Sequence, residues 1–132
     1  MKRIIPIRVA LIGLIVLLAL FSLFHVLVLA GVLPYTIVWG GKMQAPAQMQ
    51  LMEGVSLGIM LALLAVVGSR AEIIPLKLPA RAFKLIFWAM FVLFSLNTLG
   101  NLASVNDFER FAFPPITLLM AIFSLRVAIE KP

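Results

Sequence analysis

Four long apolar runs, separated by short stretches of charge, proline and glycine, dominate the pattern along the chain. Runs of roughly 17–25 apolar residues are long enough to cross a bilayer as helices. The pattern predicts spans at about 9–30, 49–68, 82–103 and 114–129. The expected fold is therefore all-α, a polytopic bundle of four transmembrane helices in one domain over residues 1–132. The first run follows a basic start, "MKRIIPIR". It is longer than the apolar core of a signal peptide, about 7–15 residues, and no small-x-small site follows it, so a retained helix is expected.

The connections carry the punctuation. "SRAEIIPLKLPARAFK" joins spans two and three, and its Pro75 and Pro79 predict a short extended turn. In "NDFERFAFPP" the double proline predicts that span four starts at Pro114 or Pro115. "GVLPYTIVWGGKMQAPAQ" stays apolar for about ten residues past Ala30, then breaks at Gly40 and Gly41. Its Tyr35 and Trp39 are typical interface anchors. An interfacial or partly re-entrant cap over one end of the bundle is expected there.

Composition makes lipid the solvent. The chain is 64% hydrophobic and 12% charged, with a mean hydropathy of +1.17. A soluble domain is about half apolar and a quarter charged. The net charge of +6 does not point to nucleic acid, because of where the bases lie. Nine of the eleven Lys and Arg (Lys2, Arg3, Arg8, Arg70, Lys77, Arg81, Lys84, Arg126 and Lys131) fall on one side of the spans. Lys42 and Arg110 fall on the other. That bias predicts both termini on the cytoplasmic side of a bacterial inner membrane. With no cysteine and one histidine, neither a disulfide nor a metal site is expected. No cofactor motif is present: the GGK of Gly40–Lys42 lacks the remainder of a phosphate-binding loop.

The candidate chemistry is a polar layer. At about 1.5 Å per residue, His25 lies roughly 25 Å above the basic boundary at Arg8. Asn97 and Asn101 lie roughly 20 and 25 Å above Lys84. Glu53 and Ser56 open the span that descends from the opposite face, and Ser104 falls near the same level. Asn97, Asn101 and Ser104 follow an i, i+4, i+7 spacing and so are expected on one helix face. Gly100 beside them is expected to allow close helix approach. Polar side chains inside a membrane turn to the bundle interior. Together these residues predict an outer-leaflet pocket lined by His25, Glu53, Ser56, Asn97, Asn101 and Ser104, capped by Tyr35 and Trp39. The competing reading makes the asparagines interhelical glue, at about 0.6–2 kcal/mol per bond. His25 and Glu53 could also share a proton, and acid–base chemistry follows from that inventory alone. Arg126 is expected to snorkel to lipid phosphates. Thr117, Ala121, Ser124 and Ala128 form a small-residue stripe suited to helix packing.

The segments "FHVLVLAGVLPYTIVWGGKM", "LMEGVS", "NTLGN" and "FPPITLLMAIFSLRVAIEK" resemble a family of small four-span bacterial membrane proteins of unknown function. The resemblance covers nearly the whole chain. It implies the same topology and singles out His25, Tyr35, Trp39, Gly40, Glu53, Asn97, Gly100, Asn101, Pro115 and Arg126, without supplying an activity. A fainter likeness, in span number and in acids, His and Asn lining a membrane cavity, is to the EXPERA sterol-isomerase and sigma-2 receptor fold; it is analogy only. Three functions follow as expectations. The leading one is a non-enzymatic protein that binds, and in an oligomer transports, a small or amphiphilic ligand. The others are an accessory subunit of a membrane complex and an enzyme on a lipid-like substrate. Expected partners are membrane lipid, such a ligand, and a second copy or a membrane-complex subunit, with no nucleic acid.

Overall fold

The computed structural model describes residues 4–32, 46–105 and 107–130, and within them the chain is all-helical, with no strand. The helices are α1 (Ile7–Leu29), α2 (Pro46–Arg70), α3 (Ala80–Leu102) and α4 (Asp107–Ala128). Each is long and apolar enough to cross a membrane. Tyr35, Trp39, Gly40 and Lys42 lie outside the described residues, and with them the expected cap.

Local chemistry sets the helix ends. Pro6 and Pro79 each stand in extended backbone immediately before a helix, where the missing N–H costs nothing. α1 stops at Gly31, which takes φ +79°. There the N–H of Val32 reaches the carbonyl of Leu27 and that of Gly31 reaches Val28, a Schellman closure. α2 closes in the same way, Ile73 to Gly68 and Glu72 to Ser69, but a glutamate occupies the left-handed position.

α4 corrects the sequence expectation. It begins at Asp107, seven residues before Pro114, and both prolines lie inside it. Asp107 and Glu109 in the first turn place negative charge at the positive end of the helix dipole. The prolines deprive the carbonyls of Arg110 and Phe111 of their usual donors. Buried transmembrane helices tolerate such breaks because neighbouring groups compensate.

The helices alternate in direction, and packing is strongest for α3 with α4, α1 with α2, and α1 with α4. α2 and α3 touch little, so the ring of helices is loosely closed on one side. The core fills one half of the bundle. Ala10, Leu14, Leu18, Val67, Phe87, Met90, Met120 and Phe123 meet there. This half holds the start of α1 and the end of α4 and is called proximal below; the other half is distal. Large apolar side chains such as Leu20, Leu85, Leu96 and Leu118 are at least half exposed around the outside. In water such a surface would aggregate; against lipid it is matched.

Two details of packing differ from expectation. Gly100 has open space where a Cβ would stand, so it allows no close approach. Gly13 does: a Cβ there would run into the Phe123 ring. That glycine lets α1 and α4 meet. Arg126 does not snorkel. It is buried, donating from Nε to the carbonyl of Ile5 at 2.6 Å and pairing with Glu130 at 2.5 Å. It ties the segment before α1 to the end of α4. The stripe of Thr117, Ala121, Ser124 and Ala128 is buried, as its small side chains suggest.

Candidate functional site

The distal half holds a cavity of about 510 Å³ lined by all four helices. On each helix the lining follows a helical face. α1 contributes Phe21, Phe24 and His25; α2 contributes Glu53, Ser56, Ile59 and Met60. α3 contributes Leu93, Phe94, Leu96, Asn97, Gly100 and Asn101; α4 contributes Glu109, Phe113 and Thr117. The spacings of three and four are those that put side chains on one face.

Of the residues expected in the polar layer, His25, Glu53, Ser56, Asn97 and Asn101 therefore meet at one cavity. Ser104 does not line it. α3 ends at Leu102, and Ser104 N–H turns back to the carbonyl of Asn101 at 3.1 Å. The i+7 spacing from Asn97 fails because the helix has already stopped. Ser104 is nonetheless buried.

His25 and Glu53 form the polar centre. His25 Nδ1 and Glu53 Oε2 share a hydrogen bond that joins α1 to α2. The glutamate side chain is fully buried and the histidine is 14% exposed. A carboxylate with no exposure at such a position is costly unless bonded, and the imidazole supplies one bond.

The asparagines behave differently. Neither amide has a hydrogen-bond partner among the described residues. Asn97 is exposed and Asn101 half-buried, both on the cavity wall. Interhelical glue between α3 and α4 is present, but other residues supply it. Thr98 and Thr117 bond through their hydroxyls at 2.8 Å, and each also reaches a backbone carbonyl of its own helix.

Glu109 escaped the sequence reading. It is buried and lines the cavity. The double proline, read as a helix start, left Glu109 in a loop. The signal was present in the steps of four from Thr117 back through Phe113 to Glu109. Phe113 also centres an aromatic cluster, edge-on to Phe24 at 5.1 Å and to Phe21 at 5.6 Å.

By length and composition of their helices, such folds form the class of small multi-pass helical membrane proteins. Compared with known proteins, the chain matches no family model, no curated protein and no solved structure.

Proposed function

We propose that the chain is a non-enzymatic binding protein of the bacterial cytoplasmic membrane, holding a small or amphiphilic ligand in the distal cavity. With both termini cytoplasmic, as the distribution of bases implies, the cavity falls in the outer leaflet. The bacterial setting rests on the resemblance of the motifs quoted above to small four-span bacterial membrane proteins. One observation carries the reading: Asn97 and Asn101 line a mostly apolar cavity and bond none of the described residues. Amides that served only as glue would be bonded across helices. Amides that hold a guest keep their donors and acceptors for it.

The test is native mass spectrometry of the full chain after mild extraction from the producing cells. A retained mass that survives in the unaltered chain and is lost in an Asn97→Leu, Asn101→Leu double variant supports the reading. An unaltered chain that flies bare, or a retained mass indifferent to both substitutions, overturns it.

A second reading has one observation in its favour. Asn97 is exposed, so a neighbouring subunit could reach it, as in an accessory subunit or a homo-oligomer. In that case the retained mass would be a protein chain rather than a small molecule.

A further inference from the structure

The proximal end of the bundle holds a second cavity, about 300 Å³, between the end of α2, the start of α3 and the end of α4. Arg70, Glu72 and Lys84 line it together with Phe83, Phe87 and Val127. Phe87 and Val127 are buried, whereas Glu72 and Lys84 are exposed, so the floor is apolar and the mouth is charged. Unlike the buried Arg126, the two bases here are uncommitted. The side chains of Arg70 and Lys84 form no ion pair or hydrogen bond with the described residues. Glu130, the other acid of the lining, is held by Arg126.

The bases belong to a biased stretch. Residues 70–84 carry Arg70, Lys77, Arg81 and Lys84 against one acid, Glu72. Of these four bases, Arg70 and Lys84 line the cavity. The connection between α2 and α3 fixes the walls, because it folds back on the last turn of α2. Ser69 Oγ donates to the carbonyl of Leu76, and Ile74 fills the space where a Cβ of Gly68 would stand. Arg70 and Lys84 therefore rise from two helices beside a preformed hollow. Basic pockets between membrane helices suit the phosphates of lipid head groups. Trp88, exposed and one turn deeper than Lys84 on the same face, is the residue type that anchors at head-group level. A free phosphate would use the bases and leave the apolar floor wet; a phospholipid uses both.

We propose that this cavity is a site for an anionic phospholipid, its phosphate between Arg70 and Lys84 and the start of an acyl chain over Phe83 and Phe87. Arg70 offers paired N–H donors to the phosphate oxygens, and Lys84 a point charge. The site shares no lining residue with the distal cavity, so it stands or falls apart from the ligand-binding reading above.

The test titrates the full chain in maltoside micelles with dioleoylphosphatidylglycerol, dioleoylphosphatidylcholine and inorganic phosphate, and reads retained mass by native mass spectrometry. Phosphatidylglycerol should bind about tenfold tighter than phosphatidylcholine, and inorganic phosphate at equal concentration should not displace it. Arg70→Gln with Lys84→Gln should remove that preference. Lys77→Gln with Arg81→Gln takes the same charge from the same connection but outside the cavity, and should change the preference by less than about twofold. Equal losses in both double variants overturn the inference, because diffuse attraction to a basic surface would then suffice. Equal binding of the two lipids overturns it too. Inorganic phosphate that displaces the lipid makes the occupant a free anion and overturns the lipid assignment. Lys77 and Lys84 are both exposed, so the single variants decide the question if a double variant fails to fold. Lys84→Gln should then cost phosphatidylglycerol about threefold and Lys77→Gln almost nothing; equal losses overturn the site.

Discussion

The two halves of this bundle solve the problem of burial in opposite ways. In the proximal half, aliphatic and aromatic side chains from all four helices interlock, and polar groups there find partners at short range. Arg126 bonds Ile5 and Glu130, Ser124 bonds the carbonyl of Met120, and Ser69 bonds that of Leu76. In the distal half the same helices part around a cavity. His25 and Glu53 bond each other, while Asn97 and Asn101 have no described partner. In lipid no hydrophobic force drives helices together, so packing and polar bonds carry their association. The proximal half has a cavity too, about 300 Å³ beside Phe87, against about 510 Å³ in the distal half; a chain that packs one half around an apolar core can hold the other more open, because the core fixes where the site residues stand.

Substitutions should therefore be severe in one half and mild in the other. Phe87 is fully buried in the proximal core. Phe87→Ala is expected to cost about 3–5 kcal/mol, since the void forfeits its contacts. Leu96 lines the cavity and is 60% exposed. Leu96→Ala should cost less than about 1 kcal/mol. Equilibrium unfolding of both variants in mixed micelles tests the contrast. Equal losses would mean that the distal half is as closely packed as the proximal one.

The next effect concerns the Arg126 tie. Removing it takes away the bond to the carbonyl of the half-buried Ile5 and the ion pair with Glu130, and leaves a void where the buried side chain stood. Arg126→Ala should cost about 2–3 kcal/mol, at the low end for a broken buried pair because Glu130 is partly exposed. Differential scanning calorimetry should show a lower midpoint, whereas Arg126→Lys recovers part of the loss. A variant with an unchanged midpoint would reduce Arg126 to the lipid-facing role that its sequence position first suggests.

Two glycines sharpen the comparison further. Gly13→Ala presses a methyl onto the Phe123 ring, which must shift. A loss of about 1–3 kcal/mol is expected. Gly100→Ala meets nothing within 4 Å and adds helix propensity of up to about 1 kcal/mol. It should leave stability equal or raised while it narrows the cavity beside Asn97. Paired thermal melts by far-UV circular dichroism separate the two, and a larger loss at Gly100 than at Gly13 would reverse the assignment of halves.

What could be read in the sequence, and what could not, follows the same division. Apolar runs report membrane helices because length and hydropathy are local properties, and all four spans were legible. The layer of His25, Glu53, Asn97 and Asn101 was legible from depth, since rise per residue is constant. Ser104 was misplaced because depth arithmetic does not show where a helix ends. Glu109 was missed because a double proline looks like a start, whereas neighbouring helices let α4 run through it. Gly100 and Gly13 are indistinguishable in sequence; only the helix that faces each one separates them. The partner of Arg126 is a carbonyl 121 residues away, and no local pattern announces it.

The smallest expected effect lies at the seam between the halves. Thr98 and Thr117 join α3 to α4 at 2.8 Å, and Thr117 also lines the cavity. Two hydroxyls have two protons, and three carbonyl contacts compete with the bond between them. When either hydroxyl is removed, the other falls back on a carbonyl of its own helix, so little is left unsatisfied. A double-mutant cycle with Thr98→Val and Thr117→Val should give a coupling of about 0.6 kcal/mol, ordinary for hydroxyls between membrane helices. A coupling above about 2 kcal/mol would show that the cavity wall is held together as firmly as the core. The distal half would then be open by rigid construction, and a ligand would enter without moving α3 from α4. A coupling near the expected value means that side-chain packing, closest between α3 and α4, holds this wall together, and the hydroxyl pair only trims it.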